Sequence, residues 1–183
     1  MKKFTIILLI VPSLLILISG CSPKVYYTQN LKKQLKDNNI KAADLQFYND
    51  RQLVLRRELS SGEVNVDAGT VKVENGRYIN EIVIKKLTPG ICVAETPQSL
   101  SITFEPGENK KLNFGVDGKS QSHQAKPYQI QADDWIKDFG KVNYDGQVYY
   151  ITPGGSETRL LISKTKLEKT QVDKRYVKGV KVQ

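Results

Sequence analysis

In Ser99-Leu100-Ser101-Ile102-Thr103-Phe104-Glu105-Pro106-Gly107-Glu108-Asn109-Lys110-Lys111-Leu112-Asn113-Phe114-Gly115-Val116, apolar residues fall at every second position on both sides of a turn. Leu100, Ile102 and Phe104 point one way while Ser99, Ser101, Thr103 and Glu105 point the other, the period-two pattern of a strand. Pro106 to Asn109 turns the chain. Leu112, Phe114 and Val116 then restore the apolar face. The spacing predicts an antiparallel hairpin with one buried and one wet side.

The same period extends toward the N-terminus. Val64 and Val66 alternate with polar residues, as do Val71 and Val73, and Asn75-Gly76 follows. Both central residues of a type I′ turn need positive φ, which Asn and Gly tolerate best. A two-residue loop there sets Val73 opposite Tyr78 and Glu74 opposite Arg77, an apolar pair on one face and an opposite-charge pair on the other. Ile82-Val83-Ile84 is apolar at every position, which predicts a central strand covered on both faces. Leu45 to Tyr48 and Gln52 to Leu55 read as two strands joined by a tight turn at Asn49-Asp50, with Arg56-Arg57 solvated or salt-bridged at the end of the second. Thr88-Pro89-Gly90 turns into Ile91 to Ala94, where Cys92 is expected to pack as a small hydrophobe. Earlier still, Asn30 to Asn39 predicts a short helix, with Leu31 and Leu35 on one face.

Toward the C-terminus, Tyr128 and Ile130 resume the alternation. Asp133 to Gly140 reads as one or two helical turns, with Asp133 capping the start and Gly140 ending it. A second hairpin follows around Asp145-Gly146. It sets Val142 opposite Tyr149, places Tyr144 with Ile151 on one face and leaves Val148 and Tyr150 on the other. Thr152 to Gly155 turns into a strand at Arg159 to Ile162, and Tyr176, Lys178, Val180 and Val182 suggest a last edge strand. The total is about nine to eleven short strands at a spacing of about 8 to 12 residues. The fold class is mainly β, an antiparallel β-sandwich or a partly open barrel. It carries one short N-terminal helix and a short helical turn near residues 133–139.

The first 21 residues follow other rules. Met1-Lys2-Lys3 is basic, and Phe4 to Ile18 is a run of 15 residues without a charge. A spanning helix needs about 20 apolar residues, so this run has the shape of a secretory signal. Its end, Ile18-Ser19-Gly20-Cys21, resembles the lipobox of bacterial lipoproteins. The resemblance covers residues 1–21 only and implies cleavage between Gly20 and Cys21, with Cys21 carrying diacylglycerol and an acylated amino terminus. One acyl chain holds a protein weakly, whereas two or three make a stable anchor. Ser22-Pro23 follows Cys21 where inner-membrane lipoproteins often carry Asp. By that resemblance the anchor is in the outer membrane facing the periplasm, or on the outer face of the plasma membrane in a cell with one membrane. The expected organisation is a signal peptide (1–20), a lipidated Cys with its tether (21–29) and a single β-rich domain (30–183) ending in a basic tail (164–183).

Composition narrows the function. Removing Lys2 and Lys3 with the leader takes the net charge from +9 to +7, and the 164–183 tail holds +5 of it. An exported lipoprotein does not normally meet nucleic acid, so anionic lipid, wall polymer or an acidic protein face is the expected complement. Lipidation of Cys21 leaves Cys92 as the other cysteine, so no disulfide within the chain is expected. With His123 as the only histidine, zinc sites of the usual N/S type lack ligands. A Ser-His-Asp triad would have to recruit it from a polar loop, and no Gly-x-Ser-x-Gly elbow exists. Asp133 with Asp134 or Asp138 would suit glycoside cleavage only at the right separation, and helix capping accounts for the same residues. No enzyme, cofactor or metal is expected. Nine tyrosines against one tryptophan and one methionine suit a binding surface. The candidate surface is Trp135 with Tyr144, Tyr149 and Tyr150, together with Lys174 and Arg175 in the tail. Two uses fit it: docking a protein partner in an envelope assembly, or binding a glycan or cell-wall polymer.

Overall fold

A computed structural model describes residues 23–60, 70–116, 125–164 and 167. Within it, Lys24–Ser163 forms one compact unit. β1 (Lys24–Tyr26) leads into α1 (Gln29–Asp37) and then β2 (Gln46–Asn49), β3 (Leu53–Leu59), β4 (Thr70–Glu74) and β5 (Arg77–Ile84). β6 (Pro89–Glu95), β7 (Ser99–Thr103), β8 (Lys111–Gly115) and β9 (Gln129–Gln131) follow. Last come β10 (Asp134–Ile136), β11 (Phe139–Tyr144), β12 (Gln147–Ile151) and β13 (Leu160–Ser163). Seven strands form one sheet in the order β1-β13-β2-β6-β7-β8-β9, and six form the other in the order β10-β11-β12-β3-β5-β4. Every pairing is antiparallel. The architecture is sandwich-like and not a closed barrel.

The hairpins predicted at Asn75-Gly76 and Asp145-Gly146 form in the expected registers, and the one predicted across Pro106 to Asn109 forms as well. Leu100 faces Phe114 and Ile102 faces Leu112, and all four are buried. Val73 faces Tyr78, Glu74 faces Arg77, and Val142 faces Tyr149. Asn75 and Gly76 have φ of 51° and 76°, and Asp145 and Gly146 55° and 73°, as a type I′ turn requires. The inner faces contribute Phe47, Leu53, Leu55, Ile151 and Leu160, all fully buried. α1 starts at Thr28, whose Oγ1 accepts the Leu31 N–H at 3.2 Å, and it buries Leu35 as its period predicted.

Five expectations are corrected. The segment near 133–139 is not helical: β10 pairs with β11 across a turn at Lys137-Asp138, with Trp135 opposite Gly140. One or two isolated turns do not overcome helix nucleation, whereas each residue added to the sheet edge gains ladder bonds. Asp133 accordingly caps nothing; its own N–H donates to Lys141 O at 2.8 Å. Gly140 ends no helix, and its missing side chain makes room for Trp135, whose ring atoms would lie 2.7 and 2.8 Å from an added Cβ.

Asn49-Asp50 is not a hairpin turn either, because β2 and β3 lie in different sheets. Asn49, fully buried, holds that corner: its Nδ2 donates to Arg51 O at 2.6 Å and to Lys85 O at 2.7 Å, and its own carbonyl accepts the Leu87 N–H at 2.9 Å. Lys85 to Thr88 is the second of four crossings, from β5 to β6, so one side chain fastens two of the passages between the sheets. The stretch 82–84 is covered on one face only; Ile84 is buried and Val83 exposed. Arg56 and Arg57 lie inside β3 and not at its end; Arg56 pairs with Glu81 at 2.8 Å and Glu74 at 3.6 Å.

The fifth correction concerns the tether read at 21–29. From Lys24 onward this segment is part of the fold. β1 pairs with β13, and Tyr27 is buried with its ring edge-on to Phe47 and to Tyr128. Val64, Val66, His123 and the suggested strand at 176–182 lie outside the described residues.

Candidate functional site

Register sorts the aromatic residues singled out in the sequence. Gly140 faces Ile151 and Ile151 faces Leu55, so the odd positions of β12 and the even positions of β11 point into the sandwich. Tyr144 and Tyr149 follow them and belong to the core. Their rings meet edge-on at 6.3 Å. The Tyr144 hydroxyl donates to Glu105 Oε1 at 2.8 Å, and the Tyr149 hydroxyl donates to Asn80 Oδ1 at 3.1 Å. Neither ring is available as a docking surface. Trp135 shares that inner side at the sheet edge, laid over Gly140, while Tyr150 stands on the outer face opposite Arg56. The predicted cluster is therefore split across the two faces of one sheet. Lys174, Arg175, Gly20 and Cys21 lie outside the described residues.

The structure assembles another apolar surface on the outer face of the second sheet. Ile136 pairs with Phe139 and Val54 with Val83, and Thr152, which follows the Gly140–Ile151 pair and donates its N–H to Val54 O at 3.0 Å, stands between the two pairs. Ile136 is 58% exposed, Phe139 45% and Val83 44%. Val148 and Tyr150, also exposed, continue the face along β12. A row of opposite charges borders it, with Asp134 across from Lys141 and Arg56 across from Glu81. Exposed apolar side chains gathered on one sheet face among opposite charges are the layout of a protein interface. Two signals for it stand in the sequence. The capping pattern around Ile136 and Phe139 reads them into a helical turn, and the apolar run 82–84 reads Val83 into a strand covered on both sides.

The buried hydroxyls carry a pH signature. Burial is the first cause that raises the pKa of Tyr27, Tyr128 and Tyr144. Neighbouring Tyr128 and Glu95 add to it at Tyr27, Glu95 at Tyr128, and the Glu105 hydrogen bond and charge at Tyr144. A group whose folded pKa is raised stabilises the fold below its ordinary pKa, and that stability is lost as pH rises toward the folded value. Stability is thus expected to hold below about pH 10, the ordinary tyrosine pKa, and to fall above it. In a titration followed at 295 nm, these three of the nine tyrosines ionise only as the chain unfolds. Ionisation of all nine before any loss of circular dichroism would contradict the packing described.

Cys92 is free and buried, as expected, and its Sγ donates to Ala94 O at 3.2 Å beside a bulge in β6. Burial, then the Glu95 charge, pushes its thiol pKa up, which makes it a poor nucleophile. Among the described residues, no group of three or more His, Cys, Asp or Glu is placed to hold a metal ion, and no helix is long and apolar enough to cross a membrane. No family model, curated protein or solved structure matches this chain.

Proposed function

We propose that this chain is a lipid-anchored envelope protein, tethered through Cys21 to the outer membrane and facing the periplasm, that docks a protein partner of a larger assembly and catalyses nothing. The observation that carries the docking reading is the outer-face set of exposed Ile136, Phe139 and Val83 with half-buried Val54, on a sheet face that also carries facing opposite charges. The anchor rests on the lipobox-like Ile18-Ser19-Gly20-Cys21.

The glycan reading asked Trp135 and the Tyr149-Tyr150 pair to act together. Tyr149 is in the core, and Trp135 and Tyr150 occupy opposite faces, so no two of these rings form one stacking platform. The geometry therefore favours a protein partner.

Full-length protein purified from its own membranes in mild detergent is expected to bring down a stoichiometric partner. Ile136→Glu with Phe139→Glu should lower that recovery at least about tenfold, because charges buried at an interface core are strongly disfavoured. Melting temperature of the double variant checks that its fold survives. A wild-type protein that elutes alone, or a double variant that keeps the partner, overturns the reading. Recovery of a second copy of the chain as the bound species replaces it with self-association.

A further inference from the structure

The spacing between anchor and fold restricts how the domain meets the bilayer. Cys21 and Lys24 are three residues apart, a reach of at most about 11 Å in a fully extended chain. If Cys21 carries lipid, as proposed above, β1 begins within that distance of the anchor, and the inference below rests on that reading.

Register identifies which end of the first sheet this is. Lys24 faces Ser163, Val25 lies in the row of Ile162, Phe47 and Gly90, and Gln46 faces Ile91. β6 therefore runs on from Ile91 to Glu95 toward the Lys24 end. α1 is fastened at this end: Lys32 pairs with Glu95 at 3.0 Å and also donates to Thr96 O, and Gln29 Nε2 donates to Pro97 O at 3.1 Å. A groove of about 640 Å³ opens beside the helix, with Leu35, Ile40 and Ala42 among its apolar lining and Lys33, Lys36 and Lys41 supplying exposed charge. Lys32 spends its charge on Glu95. The other three ammonium groups take part in no ion pair among the described residues, although Asp37 and Asp44 lie on the same segment. The basic stretch that begins at Lys164 follows directly on Ser163, the partner of Lys24.

We propose that this end of the domain docks on the anionic phospholipid headgroups of the bilayer that holds the anchor, with Lys33, Lys36 and Lys41 taking headgroup phosphates. The anchor fixes which surface is within reach. Unpaired lysines around a partly apolar groove match anionic lipid in charge and in character. The domain then lies against the membrane at its α1 end and presents the second sheet to a partner.

The test uses the full acylated chain in two sets of vesicles, phosphatidylcholine alone and phosphatidylcholine with phosphatidylglycerol, and footprints lysines by acetylation and mass spectrometry. Lys33, Lys36 and Lys41 are expected to label about tenfold more slowly on the anionic vesicles, with the difference lost near about 0.5 M salt as screening shortens. Lys85 and Lys86, in the crossing between β5 and β6 at the other end of β6, should label equally in both. Equal labelling of all five lysines on an acylated chain overturns this inference alone. A chain whose intact mass shows no acyl groups overturns the anchor reading and this inference with it.

Discussion

Asn49→Asp is expected to destabilise the protein by about 3–5 kcal/mol, although it changes a single atom. Asn49 is fully buried, and its Nδ2 is the donor to both Arg51 O and Lys85 O. Aspartate turns that nitrogen into an oxygen, leaving two carbonyls that each lose a partner, at about 1–3 kcal/mol apiece, and places a charge where no cation was built to meet it. Burial raises the pKa of such a carboxyl above its unfolded value, so the loss grows as the pH rises from the unfolded pKa toward the folded one. It should shrink as the pH falls and the protonated acid regains one donor. Urea unfolding at about pH 7 and pH 4.5 measures both effects. A change below about 1 kcal/mol at pH 7 would mean that the β2–β3 and β5–β6 crossings do not depend on this side chain.

Tyr27→Ala is expected to cost about 3–5 kcal/mol, the range for truncating a buried aromatic residue. Tyr27 is 1% exposed, and its ring meets Phe47 at 5.2 Å and Tyr128 at 5.0 Å, edge-on in both cases. Such pairs add about 0.5–1.5 kcal/mol each beyond their buried area. The adjacent Tyr26 is 43% exposed, and Tyr26→Ala should cost under about 1 kcal/mol. This comparison separates two descriptions of the residues after Cys21. A tether would tolerate both substitutions, whereas an edge strand that delivers Tyr27 to the core tolerates only one.

The hairpins were legible because their information is local. Asn75-Gly76 and Asp145-Gly146 name a turn type, the turn type sets the register, and the register sets the facing pairs. Assignment of strands to sheets was not local. Leu45–Tyr48 and Gln52–Leu55 are separated by a few polar residues, and nothing in that spacing distinguishes a hairpin turn from a corner between two sheets. The distinction rests on Asn49 reaching Lys85, 36 positions away. The 133–140 stretch misled for a similar reason. Its acidic start and terminal glycine satisfy helix capping, while its pairing with β11 depends on Gly140 leaving space for an indole across the strand. For the candidate surface, pattern showed which residues of the second hairpin share a face but not which face the first sheet covers. Tyr144 and Tyr149 proved to be on the covered side and Val148 and Tyr150 on the open one. The buried state of Cys92 and of Leu35 followed from apolar context and helical period alone.

The docking claim is tested most directly in the native membrane. A photo-crosslinking phenylalanine analogue placed at Phe139 of the full-length chain reports what touches the outer face of the second sheet. The same analogue at Lys111, exposed on the first sheet, serves as the comparison. The account predicts one discrete protein adduct from position 139 and none of that mass from position 111. Illumination that leaves position 139 free of protein adducts, or gives the same adducts at both positions, would contradict it.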